Sequence, residues 1–194
     1  MPRLYLVRHA RPAASWGEDP DPGLDATGIS QAQATAQGLA GSLSRLPLYT
    51  SPMRRCRETA EPLAQLWFCD AVPMPVVAEI PSPPIDLAAR HDWLIASMRG
   101  NWQQLHANAP EGSIDYLQWR HQVIESLRAI DHDCVICTHF VAINVAVGAA
   151  QKRDEVVCFR PDHASVTVMS TDKGRLRLIE LGREADTLVL TRHR

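Results

Sequence analysis

The chain has 194 residues, of which 45% are hydrophobic and 22% are charged, and its formal net charge is −2. This size and composition are typical of one globular domain with a sizeable core, and the net charge does not favour nucleic acid as a partner. No segment approaches the roughly 20 apolar residues that span a bilayer, and the first residues lack a signal-peptide core. We therefore expect a cytoplasmic protein without a membrane partner.

Four short apolar runs predict strands that are buried on both faces. They lie at residues 4–7, 46–49, 76–78 and 134–137, and helix-length segments separate them. This alternation predicts an α/β fold with a mainly parallel central sheet and helices on both faces. Right-handed crossovers would place the carboxyl ends of all four strands at one edge of the sheet. Two later runs, at 166–171 and 175–181, flank the turn sequence DKG and predict a hairpin.

Three of the intervening segments repeat apolar residues at three- and four-residue steps, which predicts amphipathic helices. The first helix is expected to begin at a Thr27 cap and to bury Ile29. The second is expected to begin at a Ser51 cap, and the third at a Ser113 cap with Ile114 in the core.

Residues 80–112 differ in character from the rest of the chain, because prolines open and close the segment and two tryptophans lie within it. We interpret 80–112 as an inserted lid on a single domain that spans residues 1–194. The final segment, residues 182–194, is assigned no role.

The five cysteines have no disulfide-framework spacing. Cys134 and Cys137 lie in a predicted strand, where residues three apart point to opposite faces. These two thiols are therefore expected to pack in the core rather than to form a metal or redox pair.

Polar side chains follow several of the predicted strands. Arg8 and His9 follow the first strand, Glu79 follows the third and His139 follows the fourth. Taken alone, Arg8-His9 has the appearance of an exposed turn and Glu79 that of solvated surface. His139 is different, because apolar sequence on both sides of it argues against simple solvation. Functional groups in open α/β sheets gather at this edge, so we expect these side chains to meet there.

The start of the second predicted helix carries three arginines, although the dipole of a helix favours an anion at that end. Arg54 and Arg57 lie off the inward face and are expected to be solvated. Arg55 faces the predicted crevice, where a bound phosphate would satisfy the arginine and the free amides of the helix.

This set of residues suits phosphoryl transfer. Guanidinium groups and a protonated imidazole clamp a phosphoryl group, a neutral imidazole attacks it, and a carboxylic acid protonates the leaving oxygen. The competing interpretation is a metal site, but the neighbours of the histidines here are arginines, whose charge opposes a cation. No metal or other cofactor is expected.

At four segments the chain resembles the histidine phosphatase superfamily, also called phosphoglycerate mutase-like. The segments are LVRHA (6–10), LDATGISQA (24–32), TSPMRRCRETA (50–60) and CTHF (137–140). The resemblance implies the phosphoglycerate mutase-like α/β fold.

The resemblance also implies roles for five residues. His9 would be the phosphorylated nucleophile, and Arg8, Arg55 and His139 would hold the phosphoryl group. Glu79 would be the proton donor.

Three departures from the family pattern bear on the substrate. Ala10 and Arg11 stand where the mutases have Gly-Glu, and Trp16 stands where they have asparagine, which argues against phosphoglycerate mutase activity. Phe140 also replaces a glycine of the family pattern. The sequence after Glu79 also differs from that of the sugar-phosphate phosphatases. Phe140 adds apolar surface that would favour an aromatic or peptide-like substrate.

The sequence therefore predicts a metal-independent phosphomonoester hydrolase that acts on a phosphorylated small molecule or a phosphoprotein. Two alternatives stay open. One is a phosphohistidine-protein phosphatase, and the other is a binding module for phosphorylated ligands that has lost turnover.

Overall fold

The structure, a computed structural model, describes residues 1–14 and 18–185. Within these residues six strands form one sheet. The strands are β1 (Arg3–Arg8), β2 (Leu48–Thr50), β3 (Val72–Pro73), β4 (Cys134–Thr138), β5 (Val166–Asp172) and β6 (Arg175–Glu180). Their order is β3-β2-β4-β1-β5-β6. Strands β3, β2, β4 and β1 are parallel, β5 pairs antiparallel with β1, and β6 pairs antiparallel with β5. The mainly parallel sheet and the terminal hairpin are thus confirmed. Trp16 and residues 186–194 lie outside the described residues.

Helices cover both faces of the sheet, as the sequence predicts. The helices are α1 (Ala26–Ser42), α2 (Arg54–Trp67), α3 (Leu87–Ser97), α4 (Trp102–Ala107), α5 (Tyr116–Arg128) and α6 (Phe140–Gln151). One core cluster joins α1 and α2 to the sheet, and a second joins α4, α5 and α6 to its opposite face.

In the two central strands, β1 and β4, successive side chains point to opposite faces of the sheet and so enter different clusters. In β1, Leu4 and Leu6 enter one cluster, whereas Tyr5 and Val7 enter the other. Cys134 and Cys137 also enter different clusters, and both thiols are free, so their predicted packing role is confirmed.

The predicted third strand at 76–78 is wrong. Residues Pro75–Val77 form a 3-10 turn, and β3 is a two-residue strand that ends before it. The physical reason is proline: Pro73 and Pro75 lack the backbone N–H that a strand would donate, and proline is suited to the start of a helical turn. The second strand also begins two residues later than predicted.

All three predicted helix caps are displaced. Asp25 rather than Thr27 caps α1, accepting the Gly28 amide at 2.7 Å, and Ile29 is 49% exposed. A neighbouring aspartate outcompetes a threonine at this position because a carboxylate both accepts the amide and favours the helix dipole.

The third helix follows the same rule, since Asp115 rather than Ser113 caps α5, and Ile114 is 42% exposed. The second helix begins at Arg54, after an extended Met53, so Ser51 lies outside it.

Residues 80–112 contain α3 and α4. Trp102 is buried in the core, whereas α3 is mostly half-buried or exposed. No helix among residues 1–14 and 18–185 is long and apolar enough to cross a membrane.

Candidate active site

His9 emerges at the end of β1, where it is only 6% exposed. Its backbone amide donates to the Thr138 carbonyl at 2.8 Å, which joins the ends of the parallel neighbours β1 and β4. Its ring Nδ1 lies 2.8 Å from the Ala10 carbonyl oxygen. Because a carbonyl only accepts, Nδ1 carries the proton and Nε2 keeps its lone pair. This contact leaves the Nε2 lone pair of His9 unprotonated.

His139 follows β4 directly and is fully buried. The Arg55 Nη2 atom lies 3.2 Å from Nδ1 of the ring, and the Ser51 Oγ atom lies 2.8 Å from Nε2. A guanidinium only donates, so Nδ1 accepts from Arg55 and the neutral ring gives its Nε2–H to Ser51. The rings of His9 and His139 lie 5.2 Å apart between centroids, at an interplanar angle of 62°.

Both imidazoles are neutral in this arrangement. Burial is the main cause that lowers the pKa of His9 well below its usual value, with His139, Arg8 and Arg55 adding to the effect. Burial, followed by the charges of Arg55 and Arg8, likewise lowers the pKa of His139. The protonated imidazole expected for the clamp is therefore not favoured at His139, because two cations already face it.

Arg8 and Arg55 face the histidines, and each has a guanidinium N–H group that forms no hydrogen bond within the described residues. Arg8 donates from Nη1 to the Pro161 carbonyl at 2.8 Å, and its guanidinium lies 5.1 Å from the centroid of the Phe140 ring. Arg55 is 3% exposed. Arg8 Nε and Arg55 Nη1 are buried and have no hydrogen-bond partner within the described part of the chain. Burial lowers the pKa of Arg8 to about 10, which still leaves it charged at neutral pH.

The start of α2 differs from the expectation that a phosphate would occupy its free amides. The Arg54 amide donates to the Asp21 carboxylate at 2.8 Å, so the protein itself supplies an anion there. The Asp21 carboxylate also lies 3.8 Å from Arg55 Nη1. Of the three arginines only Arg55 is buried, while Arg54 pairs with Glu58 on the surface at 2.7 Å.

Glu79 reaches the site by a different route from the one predicted. It lies after the 3-10 turn, and that turn is tied to the end of β4 because Thr138 Oγ1 donates to the Val77 carbonyl at 2.6 Å. The Oε1 atom of Glu79 accepts from the amides of Val141 and Ile80 at 3.0 and 3.2 Å.

Both of these hydrogen bonds fall on Oε1, which leaves Oε2 available for a proton. Burial raises the pKa of Glu79, although the charge of Arg55 and the two amides oppose the rise.

The structure thus brings all five predicted site residues to one edge of the sheet. They are Arg8, His9, Arg55, Glu79 and His139. The histidine rings face each other, Arg55 touches His139, and Glu79 interacts electrostatically with both arginines.

The Sγ atom of Cys56 lies 3.2 Å from Nε2 of His139, and three further residues contact the histidines or the adjoining Ala10. Ser51 orients His139 instead of capping a helix, and Thr59 accepts the Ala10 amide at 2.9 Å. Both lie in the segment 50–60 that carries the family resemblance, which was the available signal. The third residue is His163, whose ring lies 5.6 Å from that of His9. It precedes the antiparallel strand β5, and no periodicity indicates which end of such a strand reaches the site.

No group of three or more His, Cys, Asp or Glu side chains that could hold a metal ion occurs in residues 1–14 and 18–185. The chemistry of the edge is that of an anion site, since cations and hydrogen-bond donors dominate it.

Comparison with known proteins agrees with this chemistry. The family model of the histidine phosphatase superfamily (branch 1) matches residues 4–184. No curated protein gives a match to the chain.

Several solved structures have the same fold. A mycobacterial glucosyl-3-phosphoglycerate phosphatase bound to inorganic phosphate has a TM-score of 0.72 at 21% identity, over 95% of this chain and 98% of that one. The alpha-ribazole phosphatase of Shigella flexneri has a TM-score of 0.73 at 17% identity, over 94% and 97%. A phosphoserine phosphatase of Entamoeba histolytica has a TM-score of 0.71 at 18% identity, over 93% and 96%.

Proposed function

Because the chain belongs to the histidine phosphatase superfamily, we propose that it hydrolyses phosphomonoesters without a metal, through a phosphohistidine formed on His9. The observation that carries this proposal is the pairing of a neutral His9, with Nε2 unprotonated, with two guanidinium groups that each hold a buried nitrogen without a hydrogen-bond partner. Buried donors without partners cost on the order of 1–3 kcal/mol each, and a phosphoryl group would satisfy them.

In the first step the His9 Nε2 lone pair attacks phosphorus, opposite the leaving oxygen. The P–N bond forms as the P–O bond to the leaving group breaks, and Glu79 gives its proton to that oxygen. The raised pKa of Glu79 supports this role, since the carboxyl must hold a proton before the step. Arg8 and Arg55 neutralise the charge on the non-bridging oxygens.

In the second step water attacks the phosphohistidine. The Glu79 carboxylate takes a proton from that water as its oxygen bonds to phosphorus, and the P–N bond breaks. Inorganic phosphate leaves, and His9 and protonated Glu79 are regenerated.

The substrate is a phosphorylated small molecule or a phosphoprotein. Phe140 lies beside Arg8 and supports an aromatic or peptide-like leaving group. Residues 80–112 follow Glu79 directly and serve in this proposal as the lid over the leaving group. The five free thiols favour a reducing compartment such as the cytoplasm.

The alternative of a binding module without turnover rests on the lost glycines, and the local geometry weakens it. Ala10 is not among the residues with positive φ, so its backbone does not require glycine. Phe140 is the first residue of α6, where any ordinary side chain fits. Neither position therefore requires glycine for its backbone conformation.

The direct test is hydrolysis of a chromogenic aryl phosphate in the presence of a chelator, with isolation of an acid-labile phosphoenzyme. We expect turnover by the wild type, and loss of both turnover and phosphoenzyme in His9→Ala. His121→Ala, at an exposed position on α5, is the matched control. Binding of phosphate without turnover would favour the binding module instead.

A second assay separates the two enzymatic possibilities. A phosphohistidine-bearing carrier protein and the aryl phosphate are compared by kcat/KM. A large preference for the carrier protein would identify a phosphohistidine-protein phosphatase.

A further inference from the structure

His163 lies beside the nucleophile and has no part in the two chemical steps above. Its ring centroid is 5.6 Å from that of His9, at an interplanar angle of 48°, and the residue is half-buried. Its Nδ1 atom lies 3.3 Å from the backbone carbonyl oxygen of His9. A carbonyl only accepts, so Nδ1 of His163 carries a proton and donates a hydrogen bond to the His9 carbonyl oxygen.

The peptide between His9 and Ala10 is thereby held at both of its polar atoms. Its carbonyl oxygen accepts from Nδ1 of His163 at 3.3 Å and from the Ala164 amide at 3.4 Å, and its amide donates to Thr59 at 2.9 Å. These two side chains come from different parts of the fold, since Thr59 lies on α2 and His163 precedes β5. Two opposed contacts on one planar group fix its rotation.

The orientation of this peptide bears on the reacting atom. The His9 ring is oriented by its Nδ1–H bond to the carbonyl of Ala10, the next residue. Rotation about the Cα–C bond of His9 turns the 9–10 peptide and moves the Ala10 carbonyl beyond it relative to the His9 ring, and the direction of Nε2 then changes. A displacement of about 1 Å in a reacting group costs on the order of a hundredfold in rate.

The segment that presents His163 is itself anchored. The His163 amide donates to the Asp162 carboxylate at 2.8 Å, and Arg183 pairs with the same carboxylate at 2.9 Å. The neighbouring Pro161 carbonyl accepts from Arg8. One segment therefore contacts both the nucleophile and an arginine of the clamp.

The charge state of His163 is compatible with this location. Burial and the charge of Arg8 lower the pKa of His163 to about 4, while Asp162 opposes and Arg11 adds to the effect. At neutral pH the ring is neutral, so it adds no cation next to His9, which must itself be neutral to attack.

We propose that His163 is a positioning residue, which donates a hydrogen bond to the His9 carbonyl and, together with Thr59, locks the 9–10 peptide so that Nε2 points at phosphorus. The inference rests on the proposed function of His9. It predicts that His163 affects phosphoryl transfer and not substrate affinity.

The test compares His163→Asn, whose amide N–H can donate to the same carbonyl, with His163→Leu, which has similar volume and no donor. We expect His163→Leu to slow phosphoenzyme formation by about tenfold to a hundredfold. We expect KM and the Kd for inorganic phosphate to stay within about twofold, because the clamp is intact. His163→Asn should recover most of the rate, and His121→Leu is the surface control.

The pH profile distinguishes positioning from proton transfer. A residue that acts by holding the backbone leaves the limbs of the profile in place, so the His163→Asn profile should overlay that of the wild type. A shifted limb would make His163 a proton carrier and overturn the proposal.

The remaining outcomes are also decisive. Equal rates for His163→Leu and the wild type, equal impairment of both variants, or a KM effect alone would each contradict positioning. If the wild type forms no phosphoenzyme, the proposed function fails, which is distinguishable from failure at His163. If His163→Leu does not fold, His163→Ala replaces it in the same contrast with His163→Asn.

Discussion

Ser51 Oγ accepts the Nε2–H of His139 at 2.8 Å, while Arg55 donates to the opposite ring nitrogen at 3.2 Å. This pair of contacts fixes both the orientation and the tautomer of a fully buried imidazole. In a histidine that must contact a phosphoryl group, the tautomer decides which nitrogen faces the substrate.

Ser51→Ala removes the acceptor for Nε2–H. A neutral hydrogen bond of this kind contributes about 1 kcal/mol, so we expect kcat/KM for an aryl phosphate to fall by roughly five- to tenfold. Steady-state kinetics measure the loss, and Ser42→Ala, at the exposed end of α1, is the control. An unchanged kcat/KM would show that Arg55, together with the Cys56 thiol 3.2 Å from Nε2, orients the ring without Ser51.

Anion binding should be coupled to proton uptake at His139. An oxyanion that contacts Nδ1 needs an N–H donor there, yet that atom accepts from Arg55 in this arrangement. The pKa of His139 lies well below its usual value, and a bound dianion raises it. Between the two pKa values binding takes up a proton, so affinity rises as the pH falls.

Calorimetry of sulfate binding measures this coupling, because sulfate stays a dianion across the range used. Proton uptake is obtained from titrations in buffers of different ionisation enthalpy. Glu79→Gln serves as the background, since Glu79 also titrates near the site. Proton uptake by the double variant Glu79→Gln/His139→Gln should be clearly smaller than uptake by Glu79→Gln alone. Equal uptake by these two proteins would refute the coupling.

Glu79→Gln should abolish general acid catalysis while it leaves the clamp in place. We expect a loss of about 10²- to 10⁴-fold in kcat with an alkyl phosphate, whose leaving oxygen needs a proton. The loss should be smaller with an aryl phosphate that carries a good leaving group. Comparison of kcat for the two substrates measures this difference, and equal losses would argue for a role of Glu79 in binding alone.

The free energy of unfolding should decrease as the pH falls from 7 to 5. The pKa values of His9, His139 and His163 are all lowered in the folded state, so the unfolded chain binds more protons below about pH 6.5. Each such histidine contributes a slope of up to about 1.4 kcal/mol per pH unit. Glu79 opposes this trend, because its pKa is raised in the folded state.

Urea unfolding at several pH values measures the slope. His163→Asn should reduce the decrease between pH 7 and 5, because one buried imidazole is removed, whereas His121→Asn on the surface should not. A free energy of unfolding that is flat over this range, or that rises on acidification, would contradict the lowered pKa values.

The sequence alone determined the two central strands, β1 and β4, and the histidines that follow them. The sequence runs at 4–7 and 134–137, which form most of β1 and β4, are apolar throughout. Because these two strands pair in parallel, the residues that follow them, His9 and His139, lie at the same edge of the sheet. The buried face of α2 was equally clear from spacing, because helical periodicity is a local property.

The tertiary structure alone decided which side chains form hydrogen bonds with the backbone groups at the ends of these elements. Asp25 and Asp115 cap helices where nearby Thr27 and Ser113 could have done so, and Asp21 takes the amide at the start of α2. His163 was not found because strand direction, which periodicity does not encode, brings it to His9. Local pattern fixes where buried strands and helices form, whereas caps, tautomers and contacts between distant side chains depend on which partners the folded chain brings within about 3 Å.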